Sequence, residues 1–149
     1  MFTLDAIMTT ELITLLPTAN LAEARELMHR NKIHHLPVVD DNNTLIGLVT
    51  LTNVLAATDS ILRDPDNSIH PADVMVKDIM VTDVATVEEN ASLRQAALFL
   101  EKHRIGCLPV VTDGMLKGII TETDFVAVAI NLLEQLEESE PDDDLAESA

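Results

Sequence analysis

The chain has no tryptophan, no tyrosine and only three phenylalanines in 149 residues. Single-stranded nucleic acid is usually held by stacking bases on aromatic rings, and that chemistry is missing here. Basic side chains are scarce as well: nine Lys and Arg stand against 26 Asp and Glu, a formal net charge of -17. Such a balance repels phosphate backbones and anionic lipid, so neither nucleic acid nor a membrane is an expected partner. The one cysteine, Cys107, has no internal disulfide partner, which fits a reducing compartment and makes the cytoplasm the expected location. Long apolar runs are lacking too, and the stretch 125–130 is far too short to span a bilayer. The opening residues 1–16 carry Asp5 and Glu11 and no base, unlike the charged start of a secretory leader.

What is present is aliphatic. Hydrophobic residues make up 47% of the chain, enough for one compact core of Leu, Ile, Val, Ala and Met. The strongest signal is an internal repeat. Sliding the chain on itself by 72 residues lays Ile7-Met8 on Ile79-Met80, Thr14 on Thr86, Leu21 on Leu93 and Ile33 on Ile105. Leu36-Pro37-Val38-Val39 falls on Leu108-Pro109-Val110-Val111. After one deleted loop residue, Gly47-Leu48-Val49-Thr50 falls on Gly118-Ile119-Ile120-Thr121.

Each repeat is readable locally. Asn20 with Glu23, and Ser92 with Gln95, have capping-box spacing and predict helices starting at Leu21 and Leu93. Apolar Leu21, Ala24, Leu27 and Met28, like Leu93, Ala96, Ala97 and Leu100, recur at helical spacing and give each helix one buried face. The Leu-Pro-Val-Val runs, the turns at 40–43 and 113–114, and the apolar runs ending at Thr50 and Thr121 predict hairpins. Pro37 and Pro109 are expected at strand starts, where no donor is needed. Second helices over 52–57 and 123–138, and initial strands near 12–16 and 84–87, complete two β-α-β-β-α units. The expected division is a first repeat over 1–59, a linker over 60–73, a second repeat over 74–136 and an acidic tail without fixed structure over 137–149. That tail is a solvated end, with partner docking as the alternative.

Taken together, the duplicated Ile-Met, the capped helix, the Leu-Pro-Val-Val strand and Gly-Ile-Ile-Thr-Glu-Thr-Asp at 118–124 resemble the CBS domain pair, the cystathionine β-synthase or Bateman module. The resemblance covers roughly residues 5–135, and a stand-alone pair is the expectation. It implies an α/β fold of two repeats packed sheet to sheet about a pseudo-two-fold axis. Two clefts between the repeats are implied, and dimerisation into discs. It further implies a regulatory ligand, AMP, ADP, ATP or S-adenosylmethionine, with no required cofactor, and a regulated partner protein. Some members of the family bind nothing, so the residues themselves must argue for a ligand.

The sharpest cluster is Thr121-Glu122-Thr123-Asp124, where a strand passes into a helix whose free N–H groups suit an anion. An ionised Asp accepts from both cis hydroxyls of a ribose; the structural alternative is that Asp124 only complements the helix start. By resemblance Asp124 holds the ribose, while Thr9, Thr14, His34, His35 and Leu36 of the other repeat, with Thr121 and Thr123, complete the main cleft. The counterparts in a second, weaker cleft are Thr50, Asn53, Thr86, Gly106, Cys107 and Leu108. Its Asn53 replaces the acid, so the clefts should be unequal. Gly106-Cys107 put no base where phosphate would lie in the main cleft. That favours a cationic adenosyl ligand over a polyphosphate unless Lys102 or Arg104 compensates.

Neither metal binding nor catalysis is expected. Adjacent His34 and His35, entering a strand, should point to opposite faces. Cys107 with His103 lacks a third orienting group and reads as a small buried hydrophobe. The methionines, Met8, Met28 and Met80 among them, read as core filler. The second helices carry more apolar surface than one pair of repeats needs, which predicts a homodimer.

Overall fold

The computed structural model describes residues 3–66 and 68–139. The first repeat is α1 (Leu21–Asn31), β1 (His35–Val39), β2 (Leu45–Thr50) and α2 (Leu51–Leu62). The second is α3 (Leu93–His103), β3 (Cys107–Thr112), β4 (Met115–Thr121) and α4 (Glu122–Ser139). Both predicted capping boxes form. Asn20 Oδ1 accepts from Glu23 N at 2.9 Å and Glu23 Oε1 from Asn20 N at 3.1 Å. Ser92 and Gln95 make the same pair at 3.0 and 3.2 Å. Each of these helices stops at a left-handed basic residue, Lys32 or Arg104, with φ 54° in both.

Each hairpin is antiparallel, and the second turns on Asp113 (φ 55°) and Gly114 (φ 80°), the two left-handed positions of a tight type I′ turn. The expected initial strands shrink to one parallel bridge each, Leu15 to Val38 and Val87 to Val110. Proline is the reason. Leu15 N donates to Pro37 O at 3.0 Å and Val39 N to Leu15 O at 2.9 Å. The next bond towards the N-terminus would need an N–H on Pro37, and the next in the other direction an N–H on Pro17; neither exists. Pro109 ends the second ladder in the same way towards the N-terminus. Pro37 and Pro109 are therefore interior, each third in its strand and fully buried, rather than at strand starts.

Two helices outrun the sequence reading. The first of them, α2, begins at Leu51 and continues to Leu62, so 60–62 are helical rather than linker. A 3-10 turn at Pro71–Asp73 follows, its His70 N–H held by Asp73 at 3.1 Å. The last helix, α4, runs to Ser139, three residues into the stretch expected to be tail; residues 140–149 lie outside the described residues.

The repeats interlock at their leading segments. Leu4, fully buried, packs with Ala96, Leu100, Leu108, Val110 and Ile120 of the second repeat, and its N–H donates to Ala91 O at 3.1 Å. Reciprocally, Val76 is fully buried in the core of the first repeat, its N–H on Ala19 O at 2.7 Å. Thr9 and Ile119 exchange backbone bonds at 2.9 and 3.0 Å, and Leu48 and Val81 at 2.9 and 2.8 Å. This crossing explains two glycines. A Cβ on Gly118 would lie 2.7 Å from Met8 Sδ and 3.0 Å from Thr9 O, and one on Gly47 would lie 2.5 Å from Met80 Sδ and 3.0 Å from Val81 O. A third apolar cluster, Leu48, Cys107 and Ile119, joins the sheets. The bridge between Thr44 and Met115, positions equivalent in the repeat, lies on the pseudo-two-fold axis.

Candidate functional site

The site grows out of the passage from β4 into α4. Thr121 is the N-cap: its Oγ1 accepts from Asp124 N at 3.4 Å, and Asp124 Oδ2 accepts from Thr121 N at 2.9 Å and from its hydroxyl at 3.3 Å. Asp124 thus closes a capping box with one oxygen. Its Oδ1 accepts no hydrogen bond from the described residues. The other repeat builds the same corner from Thr50 and Asn53, at 3.1 and 2.9 Å. Asn53 Oδ1 is the acceptor there, so what remains on that side chain is an N–H2 donor. Backbone bonds tie both corners across to the segment before each first hairpin strand, Glu122 N to Gly106 O at 3.1 Å and Leu51 N to His34 O at 2.9 Å.

Above the Asp124 corner lies a cleft of about 400 Å³. Of the residues proposed from sequence for the main cleft, Thr9, His34, His35, Thr121, Thr123 and Asp124 line it. Leu36 does not: it is fully buried in the first core. Thr14 is absent from the lining as well, one residue away from the Leu15 bridge. Two charged residues of the lining were missed, Lys32 and Glu122, and Gly106, expected as a ligand contact of the other cleft, lines this one as well. Neither Lys102 nor Arg104, the cations the sequence offered, reaches it. The base comes instead from the opposite repeat, delivered by the left-handed end of α1.

The second cleft, about 380 Å³, is lined by Thr50, Gly106 and Cys107 of the residues proposed for it. Asn53, Leu108 and Thr86 are not in it. Asn53 is taken up in its cap, Leu108 is fully buried, and Thr86 lines a separate cavity of about 230 Å³. Thr52 and Asp83 were missed. Transposing Thr123 through the repeat finds Thr52; no local pattern marks Asp83.

The clefts share a wall made by His35 and Gly106. His34 and His35 both line the Asp124 cleft, and each also borders another cavity, His34 the groove between α1 and α2 and His35 the second cleft. Burial, then the neighbouring His34, hold the His35 pKa below its ordinary value, with Glu122 opposing them. Cys107 is only 5% exposed, and burial, helped by the Asp124 charge, pushes its thiol up to about 12. That removes the thiolate a nucleophile needs. His103 packs its ring on Phe99, centroids 4.2 Å apart.

Larger grooves lie on the outer helical faces, about 640 Å³ between α3 and α4 and about 530 Å³ between α1 and α2. Neither contains a strand-to-helix corner with a free acceptor. Among the described residues no group of three or more His, Cys, Asp or Glu converges as a metal would require, and no helix is long and apolar enough to cross a membrane.

The family model "CBS domain" matches residues 4–60 and 76–131. Homoserine O-acetyltransferase of Methanocorpusculum labreanum is 37% identical over 111 residues, 74% of this chain but 20% of that protein, so the chain spans about a fifth of this curated relative's length. Among solved structures, a Vibrio cholerae chain named as an acetoin utilization protein, AcuB, is 43% identical with TM-score 0.80, covering 95% of this chain and 99% of that one. CBSX2 in complex with AMP is 31% identical, TM-score 0.76, covering 89% and 99%. The CBS domain pair of protein MJ0100, solved with 5′-methylthioadenosine and S-adenosyl-L-methionine, is 25% identical, TM-score 0.73, covering 85% and 98%.

Proposed function

The chain belongs to the CBS domain family, and from that premise we propose that it is a non-catalytic regulatory module that binds an adenosyl ligand between its repeats. One observation carries the reading. Asp124 lines a cleft of about 400 Å³ with one carboxylate oxygen free of hydrogen bonds from the described residues, and the other repeat supplies Thr9, His34 and His35 to the same cleft. A ribose hydroxyl pair seated there would gain charge-assisted hydrogen bonds, while apolar Ile33 and Ile119 suit the faces of a base. Two relatives with the same fold, CBSX2 and the MJ0100 pair, were solved with AMP and with adenosyl sulfur compounds. Because each cleft is walled by both repeats, a ligand pulls them together, which is how occupancy would reach a regulated partner protein in the cytoplasm.

The test is thermal denaturation with adenosine, AMP, ATP and S-adenosylmethionine. At one hundred times its dissociation constant a ligand of the native state adds about 2.7 kcal/mol of stability. A melting temperature unmoved by all four compounds would instead favour a ligand-free dimerisation module. That second reading has its own support in α4, 18 residues long with none buried within the chain.

A further inference from the structure

On a chain of net charge -17, the groove between α1 and α2 is basic. Arg25, His29, Lys32 and His34 line it around an apolar floor that includes Met28 and Val54, and no Asp or Glu is among its lining residues. The acids of these two helices are engaged elsewhere: Glu23 in the α1 capping box, Glu26 with Arg30 at 3.2 Å and Asp59 with Arg63 at 2.9 Å. Arg25 and Lys32 have no ion pair among the described residues. Repeat symmetry does not ask for this charge. A shift of 72 residues puts Ala97, Glu101 and Gly106 where Arg25, His29 and His34 stand, and the groove between α3 and α4 has Arg94 as its one charged lining residue.

The complement lies on α4. This helix carries no base, and from 129 to 139 every residue is exposed, although a helix of that length with water on all sides is marginal by itself. One face, with Phe125, Val128 and Leu132, lines the groove against α3. Val126, Ile130 and Leu133 are not in that lining and are 56%, 52% and 57% exposed. They recur at i, i+4 and i+7, the spacing by which an amphipathic helix seats in an apolar groove, and Glu134 and Glu137 stand beside and beyond them. The negative end of the helix dipole adds to these charges.

We infer that α4 of each copy docks through Val126, Ile130 and Leu133 in the α1–α2 groove of a second copy, with Glu134 and Glu137 answering Arg25 and Lys32. The contact is made twice about a two-fold axis, second repeat on first, so the homodimer is head to tail. Apolar surface alone calls for a dimer; the charges choose which faces meet. Pairing α4 with α4 would cover the same stripe but would set Glu134, Glu137 and Glu138 of the two copies against one another, with no base on either helix. The docking does not depend on whether the clefts bind an adenosyl ligand.

Sedimentation equilibrium on the full chain tests it. Arg25→Glu with Lys32→Glu should weaken the dimer about tenfold or more, because attractive pairs turn repulsive at both contacts. Glu134→Lys with Glu137→Lys should do the same. Mixed one to one, the two double variants should form a heterodimer near the parental affinity, since each reversed groove then meets a reversed helix and each parental groove a parental helix. In the parent, added NaCl should weaken the dimer, whereas α4 on α4 would tighten as its like charges are screened. Both variants should keep the parental circular dichroism; if either fails to fold, the salt dependence of the parent decides. A parent that stays monomeric at micromolar concentration, groove variants that dimerise like the parent, a mixture no tighter than the variants alone, or a dimer unmoved or tightened by salt overturns the docking.

Discussion

Asp124 closes the start of α4 with Oδ2, and its Oδ1, which accepts no hydrogen bond from the described residues, is the proposed ribose acceptor. Asp124→Asn should keep the cap, since Asn53 makes the same cap in the other repeat at 2.9 Å. The melting temperature should barely move, because Asn and Asp are near equals at helix starts. Adenosyl affinity should fall about tenfold to hundredfold, the cost of losing hydrogen bonds to a charged acceptor. Parental affinity by calorimetry would reduce Asp124 to a helix-start residue. His35 gives a prediction in pH. Its proton is disfavoured in the native state by burial and by His34, while Glu122, opposite it in the shared wall, partly restores it. The unfolded chain therefore binds that proton more readily, so the His35 contribution to stability is complete above its ordinary pKa of about 6.5 and is lost as pH falls below it. Lys32 and Asp124 from one cleft and Asp83 from the other also face this wall and set the background. Urea midpoints between pH 5.5 and 7.5 should rise with pH in the parent and rise less steeply in His35→Gln. Equal slopes would place the titration elsewhere.

At the scale of elements, most of the molecule was legible in its sequence. Capping boxes, apolar spacing and the Asp113-Gly114 turn act over a few residues, and each formed where its residues stand. The Asp124 corner was legible for the same reason. The lost initial strands required knowing which carbonyl faces which proline, a fact of register rather than composition. Lys32 and Asp83 were hidden because each reaches a cleft by crossing from one repeat to the other. The Gly118–Met8 contact is such a crossing too, and it has a measurable strength. Gly118→Ala gains a few tenths to about 1 kcal/mol from reduced unfolded-state freedom. Overpacking works against that gain by about 1–3 kcal/mol: Met8 Sδ can swing away, but Thr9 O, 3.0 Å from the new methyl, is fixed by its bridge to Ile119. Net destabilisation should appear in urea unfolding, part of it relieved by adding Met8→Ala. A neutral Gly118→Ala would mean that the crossing is loose.

For the whole molecule, the apolar residues left outside decide the assembly. Val126, Ile130, Leu133 and Leu136 of α4 and Leu55 and Leu62 of α2 are all exposed, on a chain otherwise strongly acidic. Exposed apolar surface of this extent fits a self-complementary two-fold interface. Light scattering at micromolar concentration should give twice the 16.3 kDa chain mass, and Ile130→Glu with Leu133→Glu should return it to the monomer. A monomeric parent would count against the dimer. The exchanged leading segments, Leu4 in one core and Val76 in the other, have a consequence of a different kind. Each half of the chain is missing a piece that only the other half holds, as two clasped hands each close the other's grip. Neither half should therefore fold well by itself, whereas the covalent link between them should be dispensable. Residues 1–67 and 68–149 produced as separate chains should each be poorly folded alone and should form a one-to-one complex when mixed, with the clefts rebuilt at the seam; two halves that fold separately and do not associate would overturn this.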